Sequence, residues 1–174
     1  ISVGLSPKSR STGIRSSRSN VVRICSEAEW STFAAELVRE IRESLRYRPR
    51  IVLEGALGSG KSTFARALLD ALGIQRDAEG SPTFAIAHEY LSKEGWRVVH
   101  ADGYRLGSES ELEATGLIET LWDPDALVIF EWLDLFPATV EALRESDLPT
   151  FWVRLDFLAD TPGRRSILTK WTGR

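Results

Sequence analysis

The chain has 174 residues, of which 43% are hydrophobic, and this is enough to bury the core of one compact domain. No apolar run is long enough to span a bilayer, and the single cysteine, Cys25, excludes an internal disulfide framework. One cysteine and two histidines supply too few ligands for a structural zinc site. The net charge is −3, and the acidic balance of residues 21–174 argues against a broad nucleic-acid-binding groove. These features together predict a soluble, cytoplasmic protein.

Residues 1–20 differ in composition from the rest of the chain. They contain four basic residues and no acidic residue, and serine and arginine predominate. Because few large apolar residues are present to form a core, we expect a disordered basic tail. A targeting segment and a basic docking tail are alternatives with the same composition. Residues 21–174 are then expected to form a single phosphate-loop domain.

The domain begins with a predicted amphipathic helix. Ser26 and Glu29 form a capping box, and the apolar residues that follow from Trp30 recur at helical spacing. Pro49 ends this helix, and residues 50–54 form a short, mostly apolar run that is typical of a buried strand.

Residues 55–62 read G-A-L-G-S-G-K-S and match the pattern G-x-x-x-x-G-K-[ST]. In this pattern glycines let the backbone N–H groups approach phosphate oxygens, the lysine contacts the β- and γ-phosphates, and the last hydroxyl binds Mg²⁺. Residues 63–72 then show helical spacing, so a strand and a helix flank the loop. The helix N-terminus favours anions, and the segment predicts a site for a nucleoside triphosphate with Mg²⁺.

The predicted elements after the loop alternate between strands and helices. Residues 126–130 form the most apolar run of the chain and are expected to be a central strand. This alternation predicts an α/β fold of the P-loop NTPase kind, with a mostly parallel central sheet flanked by helices. The other predicted elements are paired strands at 84–91 and 96–101, helices at 108–116 and 136–145, and strands at 150–157 and 166–171.

Two acidic residues follow predicted strands. Asp102 comes after residues 98–101, and Glu131 comes after residues 126–130. In α/β sheets the carboxyl ends of the strands lie beside the phosphate loop, so both carboxylates are expected near the nucleotide. Each is a candidate Mg²⁺ ligand, directly or through water. Glu131 is also a candidate for aligning or deprotonating an attacking water, and the sequence leaves this choice open.

Residues 81–84 read S-P-T-F and are a candidate switch segment. Pro82 stiffens the chain there, and Thr83 is a candidate sensor of the γ-phosphate. Just past Asp102, Tyr104 and Arg105 place an aromatic ring and a cation near the predicted site.

Four motifs occur in a characteristic order: G-A-L-G-S-G-K-S, S-P-T-F, H-A-D-G-Y-R-L, and E-W at the end of an apolar strand. In this order they resemble the bacterial TsaE family of tRNA threonylcarbamoyladenosine biosynthesis ATPases, over residues 26–165. The resemblance implies Mg²⁺-dependent ATP hydrolysis that supports threonylcarbamoylation of the adenosine 3′ of the anticodon in ANN-decoding tRNAs. It also implies weak activity alone and action with the threonylcarbamoyl transferase and its pseudo-enzyme partner. Contact with tRNA is then made through that complex, and no membrane is involved.

The motif positions carry the family's site residues onto this chain. The implied catalytic residues are Lys61, Glu131, Asp102 and Thr83, and the implied metal ligands are Ser62, Asp102 and Glu131. The implied ATP-contacting residues are Gly55, Ala56, Leu57, Gly58, Ser59, Gly60, Lys61, Ser62, Thr63, Tyr104, Arg105 and Trp132.

Two other functions share the phosphate loop. A small-molecule kinase would need an acceptor pocket and an arginine-rich lid, and Arg164 and Arg165 are the only late arginine pair. A nucleotide-dependent interaction module would switch conformation without significant turnover. A GTPase is disfavoured, because the chain contains no N-K-x-D segment. A partner-stimulated rate of ATP hydrolysis separates the ATPase from the interaction module.

Overall fold

A computed structural model describes residues 21–44, 48–74, 86–158 and 164–172. The predicted basic tail and the S-P-T-F segment with Thr83 lie outside these residues. The described strands are β1 Val21–Ser26, β2 Arg50–Glu54, β3 Ala87–Leu91, β4 Arg97–Asp102, β5 Ala126–Glu131, β6 Thr150–Phe157 and β7 Arg164–Thr172. The described α-helices are α1 Trp30–Ser44, α2 Lys61–Ala71, α3 Glu109–Ala114, α4 Leu117–Trp122 and α5 Pro137–Glu145.

The strands form one seven-stranded sheet in the order β1-β7-β6-β2-β5-β4-β3. The four central strands β6, β2, β5 and β4 run parallel to one another, which confirms the predicted α/β fold with its parallel centre. The outer strands pair antiparallel, β3 with β4 on one side and β7 with β6 and β1 on the other. The phosphate-loop strand β2 therefore lies at the middle of the sheet, between β5 and β6.

Helices cover both faces of this sheet, because alternate residues of each central strand point to opposite faces. Ile51 and Leu53 of β2 join a core cluster with α1 and α2, whereas Val52 joins a second cluster with α3, α4 and α5. Every residue of β5 is buried, as expected for a central strand. Within the described ranges, no helix combines the length and hydrophobicity that crossing a membrane requires.

The segment before α1 contains one half of the predicted capping box. The backbone N–H and the hydroxyl of Ser26 each donate to Glu29 Oε2 at 2.7 Å, and a short 3₁₀ turn then leads into the helix. The predicted apolar stripe faces the sheet, and its buried members are Trp30, Phe33, Ala34, Leu37, Val38 and Ile41.

Candidate nucleotide-binding site

All three glycines of the loop between β2 and α2 have positive φ, and at two of them a Cβ would also overlap neighbouring atoms. Gly60 has φ 103°, and a Cβ there would overlap the Trp30 ring. Gly55 has φ 138°, and a Cβ there would overlap the carbonyl oxygen of Leu155 on β6. Larger residues at these positions would both strain the backbone and push the loop away from the core. Helix α2 then begins at Lys61, and the first-turn N–H groups of a helix have no partner within the helix.

The ammonium of Lys61 lies inside the loop. Its Nζ donates to the carbonyl oxygens of Gly55 at 2.7 Å and Ala56 at 3.0 Å, and only 4% of the residue is exposed. Burial lowers the pKa of Lys61, whereas the nearby Glu131, Asp134 and Asp102 carboxylates act in the opposite direction. The lysine is thus placed beside the loop backbone that a phosphate group would contact.

Trp132 covers this ammonium. Lys61 Nζ lies 3.5 Å from the centroid of the Trp132 ring, a cation–π distance. Among the residues that the structure describes, Trp132 is the only non-glycine residue with positive φ, at 63°. The same ring lies 4.9 Å from the ring of Tyr104, centroid to centroid. Strained backbone of this kind is concentrated at functional sites, and here it places the indole against the phosphate-loop lysine.

Glu131 connects the phosphate loop to two strands. Its Oε2 accepts a hydrogen bond from the Ser62 hydroxyl at 2.7 Å, and its Oε1 lies 2.8 Å from Nε2 of His100 on β4. The Glu131 side chain is 1% exposed. Both oxygens of a buried carboxylate therefore have polar partners, as burial of such a group requires.

Asp102 ends β4 directly beside Glu131, since the two residues are register partners in the parallel β4–β5 pair. Its Oδ1 accepts from the backbone N–H of Tyr104 at 2.9 Å. Burial raises the pKa of Asp102, and the Glu131 carboxylate acts in the same direction. The N–H of Gly103 also donates to the Glu131 carbonyl at 2.9 Å, which ties the two acidic motifs together through the backbone.

These oxygens are of the kind that Mg²⁺ prefers. The Ser62 hydroxyl and the carboxylates of Asp102 and Glu131 are hard donors, and Mg²⁺ sites usually combine one or two carboxylates with substrate phosphates. In the described part of the chain no group of three or more His, Cys, Asp or Glu side chains is arranged to hold a metal ion by itself. The donor set therefore fits a metal that arrives with a nucleotide.

The structure brings together most of the residues that the sequence singled out. Lys61, Ser62, Asp102, Glu131 and Trp132 form one contiguous group, with Tyr104 against the indole. The remaining residues for which the sequence predicts nucleotide contact lie along the loop and α2, at Gly55, Ala56, Leu57, Gly58, Ser59, Gly60 and Thr63, and at the exposed Arg105.

His100 was not among the predicted site residues, because the sequence indicated only a strand position. A signal was present nevertheless: residues 100 and 102 are two apart on a strand, so their side chains point to the same face. A polar residue two positions before the predicted Asp102 was therefore a candidate for the same site.

A comparison with models of protein families shows to which family the chain belongs. The family model described as threonylcarbamoyl adenosine biosynthesis protein TsaE matches residues 24–161. The chain belongs to the TsaE family. This confirms the resemblance drawn from the four motifs.

Curated relatives in the TsaE family support this. The chain is 39% identical over 115 residues to tRNA threonylcarbamoyladenosine biosynthesis protein TsaE of Streptomyces coelicolor, covering 65% of this chain and 74% of that protein. It is 30% identical over 140 residues to the TsaE protein of Treponema pallidum, covering 80% of this chain and 90% of that protein.

A solved structure shows the same fold. The chain superposes on the crystal structure of YdiB from Bacillus subtilis with a TM-score of 0.60 and 21% sequence identity, over 90% of this chain and 87% of that one. The architecture built around the TsaE phosphate loop here is therefore one already known from experiment.

Proposed function

We propose that this TsaE-family chain is a Mg²⁺-dependent ATPase that supports threonylcarbamoyladenosine modification of the adenosine 3′ of the anticodon in ANN-decoding tRNAs. It acts with the threonylcarbamoyl transferase and its pseudo-enzyme partner, and it reaches tRNA through that complex. The observation that carries the proposal is the convergence of Lys61, Ser62 and Glu131 at a glycine-dependent loop between β2 and α2. The family match supplies the reaction in which this site would act.

The loop and α2 would bind the phosphates of ATP. The N–H groups in the first turn of α2 and the positive end of the helix dipole favour negative charge at this position. Lys61 would exchange its two carbonyl acceptors, on Gly55 and Ala56, for β- and γ-phosphate oxygens. Because those carbonyls and the Trp132 ring compete for the ammonium, we expect low activity for the protein alone.

Asp102 and Glu131 have different proposed roles at the metal. Mg²⁺, when bound, neutralises charge on the phosphates and orients the γ-phosphoryl group. Ser62 donates a hydrogen bond to Glu131, so the lone pairs of its oxygen are available to a metal ion. Asp102 uses Oδ1 to accept from Tyr104, and we assign its other oxygen to the metal or a metal-bound water. Glu131 accepts the hydrogen bond from Ser62. We also assign to Glu131 the orientation of an attacking water.

The proposal is tested by ATP hydrolysis, measured alone and with the transferase complex, for the wild type, Lys61→Ala and Lys93→Ala. Lys93 is an exposed lysine in the turn between β3 and β4 and is the matched control. We expect slow hydrolysis alone, stimulation by the complex, and loss of both only in Lys61→Ala. Phosphate transfer to an added small-molecule acceptor, without stimulation by the complex, would instead establish a kinase. Nucleotide binding without turnover under every condition would establish an interaction module.

A further inference from the structure

His100 lies behind the carboxylate that holds the phosphate-loop serine. Its Nε2 is 2.8 Å from Oε1 of Glu131, while Oε2 of the same carboxylate accepts from Ser62. The three side chains come from β4, β5 and the first turn of α2. His100 itself is mostly buried, with 18% of its side chain exposed. The imidazole is thus linked to the phosphate-loop serine through Glu131.

The chemistry of this contact assigns the proton on the imidazole. Carboxylate oxygens accept hydrogen bonds, so the 2.8 Å contact assigns a hydrogen to Nε2 of His100. With Ser62 donating to the other oxygen, the carboxylate is held at two points and has one rotational setting. Losing one donor would leave a buried carboxylate oxygen unsatisfied, and the group would rotate or draw in water.

We propose that His100 is a positioning residue for the Mg²⁺ site formed by Ser62, Asp102 and Glu131. It holds Glu131 in the orientation in which Glu131 accepts a hydrogen bond from Ser62. This inference rests on the proposed Mg²⁺–ATP function. Hydrogen bonds behind the groups of a metal site orient them, and their loss typically costs about 10- to 100-fold in metal affinity. His100 would therefore set the Mg²⁺ concentration that the site requires, with a smaller effect on the binding of the nucleotide alone.

Three variants separate this role from simple packing. His100→Gln places an amide nitrogen near the position of Nε2 and keeps the donor, whereas His100→Phe keeps a ring and removes the donor. His88→Phe is the matched control, because His88 is the register partner of His100 and lies on β3, one strand farther from Glu131. The first readout is the Mg²⁺ dependence of equilibrium binding of a fluorescent ATP analogue, which needs no turnover.

We expect the half-saturating Mg²⁺ concentration to rise about 10-fold in His100→Phe, to return close to the wild-type value in His100→Gln, and to stay unchanged in His88→Phe. Binding of the analogue without Mg²⁺ should be similar in all four proteins. An unchanged Mg²⁺ dependence in His100→Phe, or an equal loss in His100→Gln and His100→Phe, would overturn the inference.

A second readout uses the metal-free wild-type protein and so does not depend on any variant folding. Nitrogen NMR of the imidazole at a pH where it is neutral should show His100 protonated at Nε2 and unprotonated at Nδ1. The Nε2 resonance should shift in Glu131→Gln. The opposite tautomer would overturn the inference.

Failure of this inference is distinguishable from failure of the proposed function. Wild-type protein that hydrolyses no ATP even with the transferase complex would overturn the ATPase. An active wild type whose Mg²⁺ requirement is indifferent to His100 would overturn only the role of His100.

Discussion

The Lys61 ammonium and the Trp132 indole form a cation–π contact, with Nζ 3.5 Å from the ring centroid. The contact depends on a strained residue, since Trp132 has φ 63° immediately after the end of β5. An extended conformation at that position would carry the indole away from the loop. The chain therefore accepts backbone strain, typically about 1–3 kcal/mol, at the residue that covers its phosphate-loop lysine.

Nucleotide binding should be visible in the fluorescence of Trp132. When Lys61 moves to the phosphates, the indole loses the nearby cation, and we expect its emission to change on addition of Mg²⁺–ATP. Trp132→Phe should abolish most of this change, and Trp122→Phe, which alters a partly exposed tryptophan on α4, should preserve it. A full change in emission in Trp132→Phe would show that another tryptophan is the reporter.

Gly60 and Gly95 form a matched pair for testing the loop. Both have positive φ, but a Cβ at Gly60 would overlap the Trp30 ring, whereas a Cβ at Gly95 would meet nothing within 4 Å. We expect Gly95→Ala to lose only the cost of a left-handed alanine, about 1–2 kcal/mol, and to bind nucleotide normally. Gly60→Ala should lose more stability and also nucleotide affinity. Urea unfolding and titration with an ATP analogue measure both quantities, and equal effects of the two substitutions would contradict the role given to Gly60.

Arg50 is a buried cation at the start of β2 whose hydrogen bonds go to carbonyls. Its guanidinium donates to the carbonyl oxygens of Leu121 at 2.6 Å, Arg48 at 2.6 Å and Asp123 at 2.5 Å, and burial lowers its pKa to about 10. These bonds tie the end of α4 to the central strand.

Replacing Arg50 should therefore destabilise the domain. We expect Arg50→Met to lower the free energy of unfolding by about 3 kcal/mol, because it removes three hydrogen bonds from a charged donor, one of them to the buried Leu121 carbonyl. The exposed Arg66→Met on α2 should change it by less than about 0.5 kcal/mol. Urea unfolding compares the two, and a loss in Arg50→Met no larger than that in Arg66→Met would refute the structural role of Arg50.

Glu54, at the end of β2, predicts a specific dependence of stability on pH. Burial raises the pKa of Glu54 above its ordinary value of 4.5, with Asp134 acting in the same direction and Arg144, 3.9 Å away, opposing it. The folded state then binds more protons than the unfolded state between 4.5 and the raised pKa, so stability falls as pH rises through that window.

Glu54→Gln removes this cost. We expect the variant to be more stable than the wild type at pH 7, with the difference disappearing as the pH falls below 4.5. Glu141→Gln, on the exposed side of α5, is the control. Urea unfolding at several pH values measures the difference, and a Glu54→Gln protein that is less stable than the wild type at pH 7 would show that the Arg144 contact dominates.

Much of the fold followed from local sequence patterns. The strand and helix that flank the phosphate loop and the central strand β5 were predicted and are confirmed. Of the predicted Ser26 capping box, the structure shows the bond from the Ser26 N–H to the Glu29 carboxylate. The short helix α4 and the edge strand β1 were not predicted. Helix α4 is as short as α3, but it begins after Gly116 and has no side-chain cap comparable to Ser108 of α3. Strand β1 is defined by pairing with β7 from the far end of the chain.

Some features of the site could likewise be predicted from the sequence, whereas others depend on the fold. The proximity of Lys61, Ser62, Asp102 and Glu131 could be predicted, because a motif or a strand end specifies where each of them lies. The contact between His100 and Glu131 depends on the parallel register of β4 and β5, in which Asp102 and Glu131 are partners. The position of Trp132 over Lys61 depends on a positive φ that no sequence pattern specifies for tryptophan.

The most direct test of the proposed function is the yield of threonylcarbamoyladenosine in an ANN-decoding tRNA, counted per transferase complex in a reaction with excess tRNA. With the wild-type protein and ATP we predict many modified tRNAs per complex, and with Lys61→Ala no more than the yield without this protein. A yield with Lys61→Ala equal to that of the wild type, in a protein shown to be folded, would contradict the claim that ATP bound at this loop supports the modification.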